Sequence, residues 1–383
     1  MWRFLNDRIY SLGIAMAKKT PVALERWTGE TPSRALIDRV SAILEKERAR
    51  GGAFCLFDGR SVSCAAFGRA RLRENIQVTP DTYFRLASIS KLVTAYAAVQ
   101  LSFAGVVSLS RDVSDYLGFS VRNPRYKDEK ITLRQLLSHT SSIVDGEKYM
   151  LALAEGAPLG DLLASPDSFA PYAPGEKWEY SNFAAGMIGC VLEGATGKPF
   201  DALMRETVFE PAGVLASYYP QRIKGTLADA WRLFPPSARP NFDANARRNK
   251  PLPGDDAPDL ARDYLLAHGS LCITAPGLCR IACAVDRNKE AFDVMRAVVA
   301  PFGPRDATLS QGLGTFIYRS GNASVPVLYG HQGLAYGAVN GLFMDENGRG
   351  FCILTSAASE KRTGVLTNMN RALCEAVFAE EGT

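Results

Sequence analysis

Strand-forming segments stand at both ends of this chain and helix-forming segments fill its middle. That pattern restricts the fold to an α+β arrangement, an antiparallel β-sheet flanked by helices and built from both chain ends, around an inserted, mostly helical region. Near the N-terminus, residues 53–57 and 61–67 flank Asp58-Gly59, where glycine supplies the positive φ of a hairpin turn. Toward the C-terminus, residues 314–318, 325–329, 338–344 and 350–355 read as strands, with Glu346-Asn347-Gly348 as a hairpin turn. Between these ends, apolar residues recur at helical spacing in 92–103, 133–137, 183–192 and 200–209. A helix is predicted over 31–51, with Thr31 as cap, Pro32 in the first turn and Gly51 as its stop. Further helices are predicted at 276–285 and 364–380. The domains expected are an N-terminal segment over 1–30, a sheet domain over 31–87 and 270–383, and a helical domain over 88–269. Within the last, residues 217–263 are rich in Pro, Asn, Asp and Arg and read as long loops and a candidate lid.

The chain has 383 residues, 47% of them hydrophobic and 22% charged, enough to bury a large core. Its 44 basic and 40 acidic residues are interspersed, so no positive stripe offers itself to a phosphate backbone and nucleic acid is a poor partner. The eight cysteines lie mostly in apolar runs, as buried free thiols do, and a disulfide framework is not expected. With only His139, His268 and His331, no zinc-ligand spacing is completed, and neither metal nor cofactor is expected. The short apolar stretch 9–17 follows mixed charges and precedes Lys18-Lys19, a poor match to a signal peptide, and no run approaches a membrane span. The reading is a cytoplasmic protein with an amphipathic N-terminal segment.

Three short motifs carry chemistry. Ser88-Ile89-Ser90-Lys91 is an S-x-x-K sequence at the start of an apolar helical run, so Ser88 Oγ and Lys91 Nζ share a face over one turn. A serine at a helix N-terminus also feels the positive end of the dipole. Tyr180-Ser181-Asn182 precedes the helix over 183–192, and a phenol and an amide two residues apart on extended backbone face one cleft. His331-Gln332-Gly333 closes the strand over 325–329, where glycine lets a substrate backbone come close. Each motif by itself occurs by chance on ordinary surfaces; their joint occurrence in this order does not read that way.

Together they resemble the serine β-lactamase and penicillin-binding protein superfamily, closest to the branch of class C β-lactamases, D-Ala-D-Ala carboxypeptidases and related esterases and amidases. The residues from Thr82 to Lys91 resemble that branch's segment around the nucleophile. Those from Ile131 to Ser141 resemble its Leu-Leu-x-His-Thr-Ser helix end, those from Tyr172 to Asn182 its Pro-Gly…Tyr-Ser-Asn segment, and those from Gly341 to Asp345 its following strand. The resemblance covers the chain from about Gly52 onward and implies a β-lactamase/transpeptidase-like fold.

It also implies roles. Ser88 attacks a carbonyl and is acylated, and Lys91 or Tyr180 takes its proton, Tyr180 as a phenolate in the second case or as donor to the leaving group in the first. Asn182 orients Lys91 and meets the substrate amide. The N–H groups of Ser88 and Leu334 form an oxyanion hole, and His331 keeps the site electropositive or donates a proton. Departures are the imidazole of His331 where the β-lactamases have Lys, Gln332, which lacks a hydroxyl for a β-lactam carboxylate, and Ser142, which stands where the branch has Gly. His139 reads as structural. The implied activity is hydrolysis of small esters, amides or peptides, D-amino-acid compounds among them. The alternatives are a true β-lactamase, an acyltransferase or peptide cyclase, and a binding module that is acylated without turnover.

Overall fold

The structure is a computed structural model and describes residues 2–252, 257–260 and 262–379. Its strands are β1 (Trp27–Thr28), β2 (Gly51–Phe57), β3 (Val62–Arg71), β4 (Ile76–Gln77), β5 (Tyr83–Arg85), β6 (Cys272–Thr274), β7 (Ala300–Pro301), β8 (Leu309–Gln311), β9 (Phe316–Tyr318), β10 (Leu328–Ala335), β11 (Ala338–Met344) and β12 (Gly350–Ala357). One antiparallel sheet runs in the order β1-β3-β2-β12-β11-β10-β9-β8-β7, with β4 on β3. Its strands come from the two ends of the chain, and β12 beside β2 joins them: Cys352 lies opposite Cys55. The expected fold class is therefore the one observed.

The central strands read as unbroken apolar runs because both faces are covered. On β2, Phe54 packs with helices Arg34–Lys46 and Asn368–Phe378 through Val40, Leu44, Leu373 and Phe378. Its neighbours Ala53, Cys55 and Phe57 face the opposite way, onto helix Ala275–Arg287 and the buried helix Ile89–Phe103. All eight cysteines are free and buried.

Several boundaries differ from the sequence reading. The first sheet-covering helix is Arg34–Lys46, capped by Ser33, whose Oγ accepts from Leu36 N at 3.2 Å, rather than a helix over 31–51 capped by Thr31. Arg48, at φ 60°, ends it well before Gly51, and Gly51 belongs to β2, where a Cβ would stand 2.2 Å from the Arg69 carbonyl oxygen. The strand expected over 325–329 is instead Leu328–Ala335 and carries the His331-Gln332-Gly333 motif inside it. Residues 217–263 are not a detached lid: Ile223, Leu227, Ala230, Phe242 and Ala244 form a small core with Cys272 and Ala338. Positions 253–256 and 261 of that stretch lie outside the described residues. Among the described residues no helix is long and apolar enough to cross a membrane.

Candidate active site

Helix Ile89–Phe103 is buried almost all round, and its N-terminus opens into a cleft at Ser88. Ala87 precedes it at φ 52°, a left-handed conformation that costs an alanine roughly 1 kcal/mol and turns the chain abruptly into the helix. The turn is pinned from β11, whose Asn340 Nδ2 donates to the Arg85 and Leu86 carbonyls at 3.1 and 3.3 Å. Ser88 makes no capping bond with its side chain, so Oγ is left for other partners.

Lys91, one turn on, donates from Nζ to Ser88 Oγ at 3.1 Å, to Asn182 Oδ1 at 3.0 Å and to the His268 carbonyl at 2.5 Å. Burial, with help from the nearby Arg85 charge and against the pull of Asp145, lowers its pKa to about 7. An amine in this position keeps two N–H bonds, to Asn182 and His268, and turns its lone pair toward Ser88 Oγ.

Asn182 opens helix Asn182–Thr196 and is held by Asp145, whose Oδ2 accepts from its Nδ2 at 2.9 Å, which fixes Oδ1 toward Lys91. The other oxygen of Asp145 accepts from Ser181 Oγ at 3.0 Å and Phe183 N at 2.9 Å, neutralising that helix start. Tyr180 places its hydroxyl in hydrogen-bonding reach of Ser88, and its ring lies 5.1 Å from Lys91 Nζ. Burial raises the phenol above its ordinary value, so it keeps its proton at neutral pH and the phenolate alternative is disfavoured.

The His139 ring lies tilted against that of Tyr180, centroids 4.4 Å apart, and its Nδ1 accepts from Ser181 N at 3.2 Å. Remote in sequence from the three motifs, His139 thus lies against the site and touches Tyr180 and the backbone of Ser181. Ser142 has φ 61°, the backbone region that a glycine fills without cost, and its Oγ accepts from Asn123 Nδ2 at 3.1 Å.

β9 pairs with β10 only as far as Gly330, so from His331 to Ala335 the outer side of β10 carries no strand and faces Ser88. Thr355 Oγ1 accepts from Val339 N and donates to Val339 O on the β12 side. Val339 and its partner Leu334 are consequently a non-hydrogen-bonded pair, and the Leu334 N–H points to the open edge. The His331 ring lies tilted against Phe316, centroids 4.0 Å apart, and its Nδ1 lies 2.6 Å from the Gln332 carbonyl, so Nδ1 holds the proton. Burial and the Lys91 charge press its pKa to about 3, so the ring is neutral and adds no positive charge.

The Gln332 amide is engaged by the protein's own backbone: Nε2 donates to Val365 O at 2.7 Å and Oε1 accepts from Thr367 N at 2.9 Å. Gly333 likewise serves the protein first. A Cβ there would stand 2.0 Å from the Leu86 carbonyl oxygen, so the protein's own backbone fills the space expected for a substrate. Gly333→Ala is expected to destabilise the fold by about 3 kcal/mol, because backbone rather than a movable side chain must give way. Thermal melting checks this, and an unchanged Tm would contradict it.

Ser88, Asn182 and Leu334 line two adjoining chambers. One, of about 340 Å³, contains Tyr180, His331 and Phe316. The other, of about 210 Å³, contains Arg85, Tyr149, His268 and Tyr336. The structure places Ser88, Lys91, Tyr180, Asn182, His331 and Leu334 around one cleft, ties Gln332 and Gly333 to the protein's own backbone, and adds Asp145, the His268 carbonyl and Asn340, which carry no local motif.

A terminal-ends sheet with this cluster beneath an inserted helical region is the β-lactamase/transpeptidase fold. The chain belongs to the Beta-lactamase family, whose model matches residues 36–374. It is 29% identical over 181 residues to the D-alanyl-D-alanine-carboxypeptidase/endopeptidase AmpH of Escherichia coli K12, across 45% of this chain and 46% of that one. It is 29% identical over 217 residues to the esterase EstB of Burkholderia gladioli, across 51% and 54%. The chain thus spans about half the length of these curated relatives. A solved D-amino acid amidase from Ochrobactrum anthropi SV3 has the same fold, with a TM-score of 0.70 and 20% identity over 90% of this chain and 98% of that one.

Proposed function

We propose that the protein is a serine hydrolase acting through an acyl-enzyme on Ser88, with small esters or amides as substrates, D-amino-acid compounds among them. The observation that carries this is the Lys91 amine, desolvated and 3.1 Å from Ser88 Oγ with two fixed acceptors holding its N–H groups. Lys91 takes the Ser88 proton as Oγ attacks the carbonyl carbon. The oxyanion settles between the N–H groups of Ser88, at a helix start, and Leu334, on the open strand edge. Tyr180, protonated and within reach of the same Oγ, hands a proton to the leaving atom. Water then attacks the ester and the same groups run in reverse. Names of relatives support this choice: a peptidase, an esterase and an amidase all act at acyl carbons.

The test is a panel of p-nitrophenyl esters, D-amino-acid anilides and a chromogenic cephalosporin, run on wild type and Tyr180→Phe. Ester or anilide turnover well above cephalosporin turnover is expected; the reverse ranking would make the protein a β-lactamase. Tyr180→Phe is expected to slow anilides by about 100-fold and esters much less, since p-nitrophenolate leaves without a proton. Equal losses would remove Tyr180 from the donor role.

A further inference from the structure

Among the described residues the Arg85 guanidinium has no matching acid. It projects from β5, three residues before Ser88, is half-buried, and makes neither an ion pair nor a hydrogen bond with the described residues. Its one contact of note is the face of Tyr336, 5.3 Å away. Removing a cation from water without a partner is costly, and proteins place such a group where a ligand completes it. Two independent features say where that ligand lies. Arg85 lines the 210 Å³ chamber that reaches Ser88, together with Tyr149, His268 and Leu334. It also lines a larger outer chamber of about 510 Å³ whose wall adds Arg247 and Lys250. That wall also holds two acids, Glu155 and Asp263; neither forms an ion pair with Arg85, and Asp263 accepts from the Tyr219 hydroxyl at 3.0 Å. Tyr180, the leaving-group donor in our reading, lines the other chamber and not these two.

From this we infer that the acyl portion of the substrate carries an anionic group, a carboxylate on a short chain, which Arg85 binds on the side of Ser88 away from Tyr180. The inference rests on Ser88 being the nucleophile and adds the chemistry of the group it transfers. A planar guanidinium takes a carboxylate by two parallel N–H···O bonds, which the Tyr336 face leaves free to form at the fork edge. Arg247, over the ring of Phe242 at 5.8 Å, and Lys250 extend a positive approach to it.

The experiment compares mono-p-nitrophenyl adipate with p-nitrophenyl hexanoate, which share chain length and leaving group and differ in the terminal carboxylate. Wild type is expected to prefer the adipate by about 10-fold or more in kcat/KM. Arg85→Gln is expected to abolish that preference, and Arg85→Lys to keep part of it. The ratio is the readout because the Arg85 charge also lowers the Lys91 pKa, which alters both rates together. Hydrolysis of both esters without preference, or a preference that survives in Arg85→Gln, overturns the inference and leaves the hydrolase reading standing. Hydrolysis of neither ester, with no acyl adduct, overturns the hydrolase reading and this inference with it. Should Arg85→Gln fail to fold, the wild-type ratio decides.

Discussion

Ser88→Ala is expected to lower kcat/KM for p-nitrophenyl esters by about 1,000-fold or more while leaving the melting temperature close to wild type. The loss is large because nothing adjacent can replace the hydroxyl. Ser90, the next candidate on the helix, is tied through Oγ to the Ala87 carbonyl at 2.7 Å and to Leu271 N at 3.3 Å. The Tyr180 phenol is held protonated by burial. The fold is spared because Ser88 Oγ makes no capping bond, so removing it breaks no helix start. Residual activity reflects the oxyanion donors and binding alone. A variant with a tenth of wild-type activity would put the nucleophile elsewhere.

The second large effect is in pH. Below a pH of about 7 Lys91 is an ammonium and has no lone pair for the Ser88 proton; above it the amine predominates. The rate under kcat/KM conditions is therefore expected to rise about tenfold per pH unit on the acid side and to level off near pH 7. His331 and His268, both pressed to about 3, are neutral throughout and contribute no inflection there. Lys91→Met is expected to remove the limb and to reduce the plateau rate by about 1,000-fold or more. Asp145 stabilises the ammonium, so Asp145→Asn moves the inflection to lower pH. A profile flat from pH 5 to 9 would assign the base to another group.

Ser88, Lys91, Tyr180 and Asn182 were legible because each chemistry-bearing pair is local: one helical turn or one extended step fixes their relation before any tertiary contact. The hairpin at Asp58-Gly59 was legible for the same reason. What bridges the pairs was not. Asp145, His268 and Asn340 act singly, two of them through loops without periodicity, and the His268 contribution is a backbone carbonyl that any residue type supplies. His139 has a positive φ and touches Tyr180 only once the chain has turned back, a contact that sequence distance conceals.

The end of β10 was missed because Gly330 and Gly333 break a β-branched pattern. Both are packing requirements: a Cβ at Gly330 would stand 1.9 Å from the Leu342 carbonyl oxygen and one at Gly333 as close to that of Leu86. Glycine there marks two backbones in contact, where sequence alone suggests a turn or a substrate. The charge of Arg85 was invisible for a different reason. Half-burial without a counter-ion is a property of its surroundings, and no pattern within residues 82–88 encodes it.

The most direct test of the account is to quench wild-type protein in acid during turnover of a p-nitrophenyl ester and weigh it intact, then by peptide. The expected result is a mass gain equal to the acyl group, located in the peptide from Leu86 to Lys91 and absent from Ser88→Ala. Acyl mass on any other peptide, or steady turnover with unmodified protein under conditions where deacylation limits the rate, would contradict it.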